Sequence, residues 1–560
     1  MQRRVILAFI LMLLVIVLPG ILFPPKKPNR ATVAPPDSTA AGVLATPAPV
    51  AAPGPPPTPP TIAPSATLPA ETVWVSSSLY RYGFTTRGGQ LVAAVLPGYR
   101  SFAAGDSSRP VQLVPEGRPL LGHRLAVGGD TLSLAALEFA PSTTALPVAG
   151  QPATLTFTAH RGAAVITLAY TFQPDDYEFH VAGRIGGLGG TGAVLVLGLG
   201  DGLRSVDGDP VADYREFAVV TKAEKAQKKP FASLHPGERT VLDGPFEWVA
   251  VKSKYFVAVV LAPEQHQAPF AGVIAVGGER TPVAVPSLFG TRASQLATRS
   301  AVSTTLAVAA DGEFRYDVYV GPFEHPRLVK LGHGLDDANP YGWSFFRPII
   351  HPVSLVVVRV LFWMHERLHL SYGWVLIVFG ILVRLALWPL NQKAMGSQLR
   401  MQAVQPLIQD IQTRYKSEPE KLQREMLKLY REHKVNPFGG CLPMMLPMPV
   451  LFALFFVFSS TIELRGVPFL WLPDLSRHDP LYIIPIVMGL SMFVVSKIGQ
   501  RGIPSNPQTK TMLYFMPAML TFVFLRLSSG LNLYYTVQNL VSIPQQYWIA
   551  ERRRRDQGKK

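Results

Sequence analysis

The sequence predicts a multi-domain membrane protein in which an all-β domain is joined to an α-helical membrane domain. Hydrophobic residues make up 48% of the 560 residues and charged residues only 16%, a balance typical of a membrane protein with a soluble part. Residues 71–325 alternate apolar and polar side chains with a period of two, which indicates strands. Residues 371–550 contain five apolar runs and residues 1–23 a sixth, which predicts six membrane spans in total.

The N-terminal residues 1–23 predict a transmembrane anchor. Arg3 and Arg4 precede about nineteen apolar residues, enough to cross a bilayer. The competing interpretation is a cleaved signal peptide, whose apolar part is usually shorter, about 7–15 residues. We therefore predict an uncleaved anchor with its N-terminus in the cytoplasm. Residues 24–70 are mostly Pro, Ala, Thr and Ser, a composition that cannot bury a core and predicts a flexible linker.

The segment 71–325 predicts a large antiparallel β-sandwich. Stretches such as "AAVITLAYTF" (163–172) and "FEWVAVKSKYFVAVVL" (246–261) are separated by clusters of Gly, Pro and Asp, and helical periods are scarce. We find no paired carboxylates, nucleophile–base constellation or metal-ligand spacing in it. Scaffolding, docking of a partner and carbohydrate binding all remain open as its function.

Residues 345–370 mix apolar residues with Arg and His, and no uninterrupted apolar run is long enough to span. This pattern predicts an amphipathic helix lying in the membrane interface. After it we predict the five spans of the membrane core, several near the short limit: Trp374–Leu390, Pro443–Ser459, Leu481–Val495, Thr511–Leu525 and Leu531–Ile549.

The distribution of basic residues predicts the topology. The loop 392–436 carries nine Lys and Arg and the tail 551–560 carries six, whereas the loop 460–480 has only Arg465 and Arg477. The positive-inside rule then places both termini in the cytoplasm and the β domain outside it. The net charge of +16 is compatible with nucleic acid, with anionic lipid or with a bias of basic residues to cytoplasmic loops, and the location of the basic residues has to decide between them.

The loop 392–436 predicts a cytoplasmic helical hairpin. Two stretches in it space apolar residues three and four apart, with "KSEP" between them. The alternative is a solvated charged loop without regular structure.

One arginine stands inside a predicted span. Arg384 interrupts the apolar run "FGILVRLALW" (379–388), and a cation at mid-span costs about 2.5–3.5 kcal/mol on insertion scales. Snorkelling to the headgroups is one explanation, but side chains lean toward the helix N-terminus, which here points Arg384 inward. An ion pair with another span is the second explanation, but we find no Asp, Glu or His in the other five spans.

The last span offers polar residues that could line a water-filled cavity for this arginine: Gln538, Asn539, Ser542, Gln545 and Gln546. The absence of acidic residues from the spans argues against a proton-coupled transporter. No catalytic constellation is visible near the cavity, so we expect neither an enzyme nor a cofactor. The single cysteine, Cys441, excludes an intramolecular disulfide.

Several longer motifs carry a family resemblance. "LVRLALWPL" (382–390), "NPFGGCLPMM" (436–445) and "DLSRHDPLYIIPI" (474–486) resemble, in order, the bacterial YidC-type membrane protein insertases of the YidC/Oxa/Alb family. The resemblance runs from about residue 343 to residue 548. The N-terminal anchor and large β domain resemble the Gram-negative form, whose periplasmic domain is a β-supersandwich. Pro447 and Pro544 depart from the family pattern.

The resemblance implies a function and a location. Members of this family insert nascent membrane proteins at the inner membrane, alone or with the Sec translocon, through a hydrophilic groove. The groove arginine is similar in position to Arg384 and attracts acidic residues of the substrate. The hairpin 392–436 resembles the one that helps recruit substrate. The basic tail (Arg552, Arg553, Arg554 and Arg555) resembles the one associated with ribosome contact, although attraction to anionic lipid explains such a tail equally well. The alternative function is a translocon-associated membrane chaperone without insertion activity of its own.

Overall fold

The structure is a computed structural model, and it describes most of the chain after residue 70. The described ranges are 71–107, 109–128, 130–162, 164–187, 192–287, 290–339, 341–342, 346–389, 392, 404–415, 418–433, 448–501 and 507–557. They belong to one compact unit, Ala70–Lys560. The predicted anchor 1–23 and linker 24–70 lie outside the described residues, as do Cys441 and Pro447.

Strands fill the segment for which the sequence predicts them. In chain order they are β1 (Thr72–Ser76), β2 (Arg81–Thr85), β3 (Leu91–Arg100), β4 (Pro110–Gln112), β5 (Gly122–Val127), β6 (Asp130–Ser133), β7 (Ala140–Pro141), β8 (Ala145–Pro147), β9 (Ala153–Arg161), β10 (Ala164–Phe172), β11 (Glu178–Ile185), β12 (Val194–Gly200), β13 (Ala218–Lys222), β14 (Ala226–Pro230), β15 (Arg239–Phe246), β16 (Trp248–Lys252), β17 (Phe256–Leu261), β18 (Phe270–Gly277), β19 (Arg280–Ser287), β20 (Gly290–Ala297), β21 (Ser300–Ala307) and β22 (Glu313–Pro322).

These strands form three sheets and a separate hairpin. The sheet orders are β4-β3-β2-β1-β8, β14-β13-β16-β17-β22-β11-β10-β9-β7 and β15-β18-β21-β12-β5-β6, with β19 and β20 paired alone. The β1–β8 pair is parallel, and the other pairs are antiparallel, because most strands follow one another through short turns. In β10 every second side chain from Ile166 to Phe172 is buried, as the period-two pattern requires.

One continuous hydrophobic core joins the three sheets. Tyr82 and Phe84 of the first sheet pack against Phe172 and Phe179 of the second, and Leu195 of the third sheet belongs to the same core. Tilted and edge-on ring pairs of this kind add to the stabilisation from burial alone. The prediction of a large β domain is confirmed.

The second part of the chain is helical, which is also as predicted. In chain order the helices are α1 (Pro210–Glu216), α2 (His325–Leu331), α3 (Arg347–Leu368), α4 (Tyr372–Ala386), α5 (Gln405–Arg414), α6 (Pro419–Glu432), α7 (Met448–Ser460), α8 (Ile483–Gly499), α9 (Pro507–Phe524) and α10 (Ser529–Gln557). Short 3-10 segments occur at Leu134–Ala136, Phe231–Ser233, Leu335–Ala338 and Ile462–Leu464. Of the helices, α1 and α2 belong to the β-rich part, and α3 to α10 form the C-terminal helical part.

Within the described ranges, α3 is the one helix long and apolar enough to cross a membrane by length and composition, with 22 residues. Shorter apolar helices are α4, α7, α8 and the Leu513–Phe524 part of α9. On α3, Val357 and Leu361 are buried in the core shared with α7, while Val356 and Trp363 are exposed. The interfacial position of α3 and the count of six spans remain predictions.

The described parts of the loop 392–436 contain two helices, α5 and α6. They share a small core of Val404, Ile408 and Leu429, so the two apolar faces pack against each other. The location of this hairpin in the cytoplasm remains a prediction.

Candidate functional site

The predicted site lies where α4 and α10 pack together. Gly380 of α4 allows close contact, since a Cβ at this position would lie 3.2 Å from Val537 Cγ1 of α10. Gln538 Nε2 of α10 donates a hydrogen bond to the Gly380 carbonyl over 2.7 Å. The two helices are therefore joined by polar as well as apolar contacts one helical turn before Arg384.

Arg384 contacts the last helix directly. Its Nη2 donates a hydrogen bond to Gln545 Oε1 over 3.0 Å. Gln545 is buried, with 2% of its surface exposed. Arg384 Nε and Gln545 Nε2 are both buried and, in the described part of the chain, have no hydrogen-bond partner. Among the described residues, no carboxylate forms an ion pair with this guanidinium.

The other predicted lining residues divide between two neighbouring helices. Gln538 faces α4 and also reaches Tyr534 Oη at 3.1 Å. Asn539 faces α8, where its Nδ2 donates to Ser491 Oγ over 3.1 Å. Gln546 lies near α8 too, with its Oε1 3.2 Å from a Cβ built at Gly499.

Ser542 differs from these residues because its hydroxyl donates to the Asn539 carbonyl of its own helix, over 2.7 Å. Serine commonly satisfies itself in this way inside helices. Ser542 is buried and belongs to the same polar stripe. The stripe follows helical spacing, since Gln538, Ser542 and Gln545 lie four and three residues apart.

Sequence reasoning did not identify two residues of this site, Tyr534 and Ser491. Tyr534 is buried and accepts a hydrogen bond from Gln538 Nε2 over 3.1 Å. It precedes Gln538 by four residues, so helical spacing alone could have placed it on the same face. Ser491 lies on a different helix, and only the packing of α8 on α10 brings it to Asn539.

The basic tail begins as the last turns of α10. Arg552 stacks over the Trp548 ring at 5.0 Å, and Arg555 Nε lies 3.6 Å from Glu551 Oε1. The side chains of Arg553 and Arg554 lie outside the described residues. The predicted tail residues therefore extend a helix that also carries Gln545.

The N–H donors of the site can bind an anion transiently. A guanidinium has five N–H donors in a fixed fork, and the structure assigns one of them to Gln545. The unpartnered amide and guanidinium N–H groups are donors, and donors bind a carboxylate. No group of three or more His, Cys, Asp or Glu residues in the described part of the chain could hold a metal ion.

Comparisons with known proteins agree on one family. The family model described as "YidC periplasmic domain" matches residues 72–352, and the one described as "60Kd inner membrane protein" matches residues 363–557. The membrane protein insertase YidC of Anaeromyxobacter dehalogenans strain 2CP-1 is 34% identical, over 85% of this chain and 84% of the relative. That of Oleidesulfovibrio alaskensis is 30% identical over 86% of each chain.

Among solved structures, an active YidC insertase whose crystal structure resolves the first transmembrane domain aligns with 86% of this chain and 95% of its own. The sequence identity is 18% and the TM-score is 0.34.

Proposed function

Because the chain belongs to the YidC family of membrane protein insertases, inner-membrane proteins with a periplasmic domain, we propose that it inserts nascent membrane proteins and helps them fold. The insertion path is a hydrophilic groove along the polar stripe of α10. Arg384 attracts acidic residues in the segment of the substrate that crosses the membrane. The observation that carries this proposal is the pairing of Arg384 with a neutral amide rather than with a carboxylate.

The physical argument requires no cofactor. Moving a hydrophilic tail through hydrocarbon is opposed by the desolvation of its polar groups. A hydrophilic groove shortens the distance over which the tail has to cross hydrocarbon without water. The residues that line it are Gln538, Asn539, Ser542, Gln545 and Gln546. The contact with Arg384 is favourable in a low dielectric but is released once the tail has crossed. Partition of the apolar segment into lipid supplies most of the driving force, at about 25 cal/mol per Å² buried.

We assign the domains in the membrane as the sequence predicts them. Residues 1–23 anchor the chain, 24–70 link it to the periplasmic domain 71–325, and 345–370 lie in the interface. Residues 371–550 are the insertase core, with the hairpin 392–436 and the tail 551–560 in the cytoplasm. The apolar helices α4, α7, α8 and α9 support this assignment.

The partners follow from the same assignment. Nascent membrane proteins are the substrates, and the Sec translocon cooperates in inserting some of them. The hairpin and the basic tail contact the ribosome. Anionic lipid competes with the ribosome for binding to the tail. The exposed basic residue Arg552 and the regular helix that carries it support the role of the tail.

Reconstitution tests this function. The purified full chain is placed in liposomes without translocon, and insertion of a small single-span substrate is followed by protease protection. We expect insertion above the level of empty liposomes. Insertion that occurs only when the translocon is added would instead indicate the translocon-associated chaperone.

A further inference from the structure

The segment that follows α7 connects the β domain to the helical part. Arg465 donates through Nη1 to the Arg100 carbonyl and through Nη2 to the Val206 carbonyl, both over 2.8 Å. Its guanidinium also lies 4.4 Å from the centre of the Phe102 ring. All three partners belong to the β domain, so this side chain holds the segment against it.

The same segment caps the helix that carries the candidate site. The first backbone N–H groups of α10 have no partner within the helix. The N–H of Ser529 donates to the Arg477 carbonyl over 2.6 Å, and that of Gly530 to the Leu475 carbonyl over 2.9 Å. The residues 461–477, which we call the junction segment, therefore contact the β domain and the first turn of α10 at once.

Glu463 of the junction segment carries a buried acidic group. The side chain as a whole is partly exposed, but both carboxyl oxygens are buried and, within the described residues, make no close hydrogen bond; the backbone N–H groups of Glu463 and His325 are the polar groups that favour its charged form. Among the described residues, no Lys or Arg forms an ion pair with it. A buried, unpaired carboxylate is costly, whereas the protonated acid is tolerated.

The groups that face Glu463 come from several elements. Glu324 and His325 stand at the start of α2, Tyr99 lies at the end of β3, Tyr341 lies before α3 and Tyr372 begins α4. Glu324 is itself held by Arg327, at 2.8 Å, and by the Tyr99 hydroxyl. Apart from Arg327, which is paired with Glu324, and the titratable ring of His325, these groups are neutral or acidic. Ionisation of Glu463 therefore adds a second negative charge beside Glu324.

Burial raises the pKa of Glu463 and the charge of Glu324 adds to the rise, while the backbone N–H groups of Glu463 and His325 oppose it; the resulting pKa is about 7. If the junction opened, water would reach the carboxyl group and its pKa would return toward the ordinary value of 4.5. The docked form therefore binds this proton more tightly than the open form.

We propose that the junction segment is a pH-sensitive clamp: with Glu463 protonated the β domain stays docked, and ionisation of Glu463 loosens it. The proposal goes beyond insertion itself, because it concerns how the periplasmic domain is held. Docking is strongest below pH 4.5 and weakens as the pH rises toward 7, since the docked form holds the proton in that interval. The full change in the docking equilibrium is on the order of a hundredfold.

Hydrogen exchange on the full chain in lipid nanodiscs tests the clamp, because exchange detects rare openings. Protection factors for residues 461–477, corrected for intrinsic exchange, are compared at pH 5 and pH 8. We expect a fall of ten- to a hundredfold in the wild type. Glu463→Gln keeps the carboxyl shape without the charge and should give high protection at both pH values.

Two further variants serve as controls for the exchange experiment. Arg465→Ala should lower protection at both pH values, which shows that opening is detectable. Glu420→Gln, an exposed change on α6, should behave as the wild type. Equal protection of the wild type at pH 5 and pH 8 would overturn the proposal, as would a pH dependence that survives in Glu463→Gln.

Discussion

Arg384 Nη2 lies 3.0 Å from Gln545 Oε1, and two other buried nitrogens, Arg384 Nε and Gln545 Nε2, have no hydrogen-bond partner among the residues that the structure describes. These two residues are 161 positions apart in the chain and meet because α4 packs against α10 through Gly380. A neutral amide orients the cation without cancelling its charge. The arginine is consequently held in place and remains able to bind an anion.

Replacing Gln545, the neutral partner of Arg384, by glutamate should pair the arginine within the protein, so that it no longer binds the substrate. Gln545→Glu places a carboxylate within reach of Arg384, and a charge-assisted pair contributes about 1.5–3 kcal/mol. We expect insertion of substrates with acidic tails to fall about tenfold or more, although Arg384 is still present. Insertion into liposomes is the measurement.

Gln227→Glu, an exposed change on β14, serves as the control for an added negative charge. Wild-type insertion activity of Gln545→Glu would contradict the expectation.

The packing of α8 on α9 should be intolerant of a methyl group at Gly489. A Cβ there would lie 1.8 Å from Thr521 Oγ1 and 3.0 Å from Thr521 Cβ, closer than atoms can approach. We expect Gly489→Ala to lower the melting temperature of the detergent-solubilised full chain by several degrees. Thr521→Ala in the same chain removes the nearer atom and should restore part of the loss. A wild-type melting temperature for Gly489→Ala would show that these helices pack less closely.

A structural feature can be predicted from the sequence when the pattern that causes it lies within one short segment of the chain. The strands follow from alternation within single segments such as 163–172, and the helices follow from apolar runs, so both parts of the fold are predictable. Arg384 was found in the same local way, as a charge inside an apolar run. Its contact with Gln545 depends on the rotation of two distant helices about their axes, which no local pattern specifies.

The contacts of the junction segment were even less predictable, because they join residues that lie far apart in the chain. Counting charges in the loop 460–480 identified Arg465 only as part of a weakly basic outer loop. Its two backbone acceptors, at Arg100 and Val206, are more than 250 residues away, and backbone carbonyls leave no signature in a sequence. Glu463 was overlooked because an isolated acid in a loop is usually solvated, whereas here its carboxyl oxygens are buried.

The β domain should become more stable with rising pH because of Lys252. Burial lowers the pKa of Lys252 and the nearby charge of Lys228 adds to the fall, while Glu216 opposes it; the resulting pKa is about 7. The unfolded chain binds this proton more tightly, so the free energy of unfolding rises with pH between about 7 and 10.5. From pH 7 to pH 9 the melting temperature of the wild type should gain several degrees relative to Lys252→Met.

The control for this experiment is Lys330→Met, which removes an exposed lysine from α2 and should leave the slope unchanged. If Lys252→Met and the wild type show the same dependence of melting temperature on pH, the buried ammonium does not set it.

The basic tail should contribute to ribosome contact without setting the topology. Removal of residues 551–560 deletes six basic side chains, and each attraction to phosphate weakens with salt. We expect cosedimentation with ribosomes to fall at least threefold at low salt, while protease protection of the periplasmic domain stays as in the wild type. A tail that only anchors the last helix would give the reverse pattern, altered topology with unchanged ribosome binding.

The insertion assay with charge variants at Arg384 tests the central claim most directly. Liposomes containing the full chain receive a single-span substrate whose tail is either acidic or neutral, and protease-protected product is measured. Arg384→Lys should keep much of the activity on the acidic tail, whereas Arg384→Glu should lower it tenfold or more, because a like charge now faces the substrate. Both variants should insert the neutral tail comparably. Equal insertion of the acidic tail by the wild type and Arg384→Glu would contradict the account.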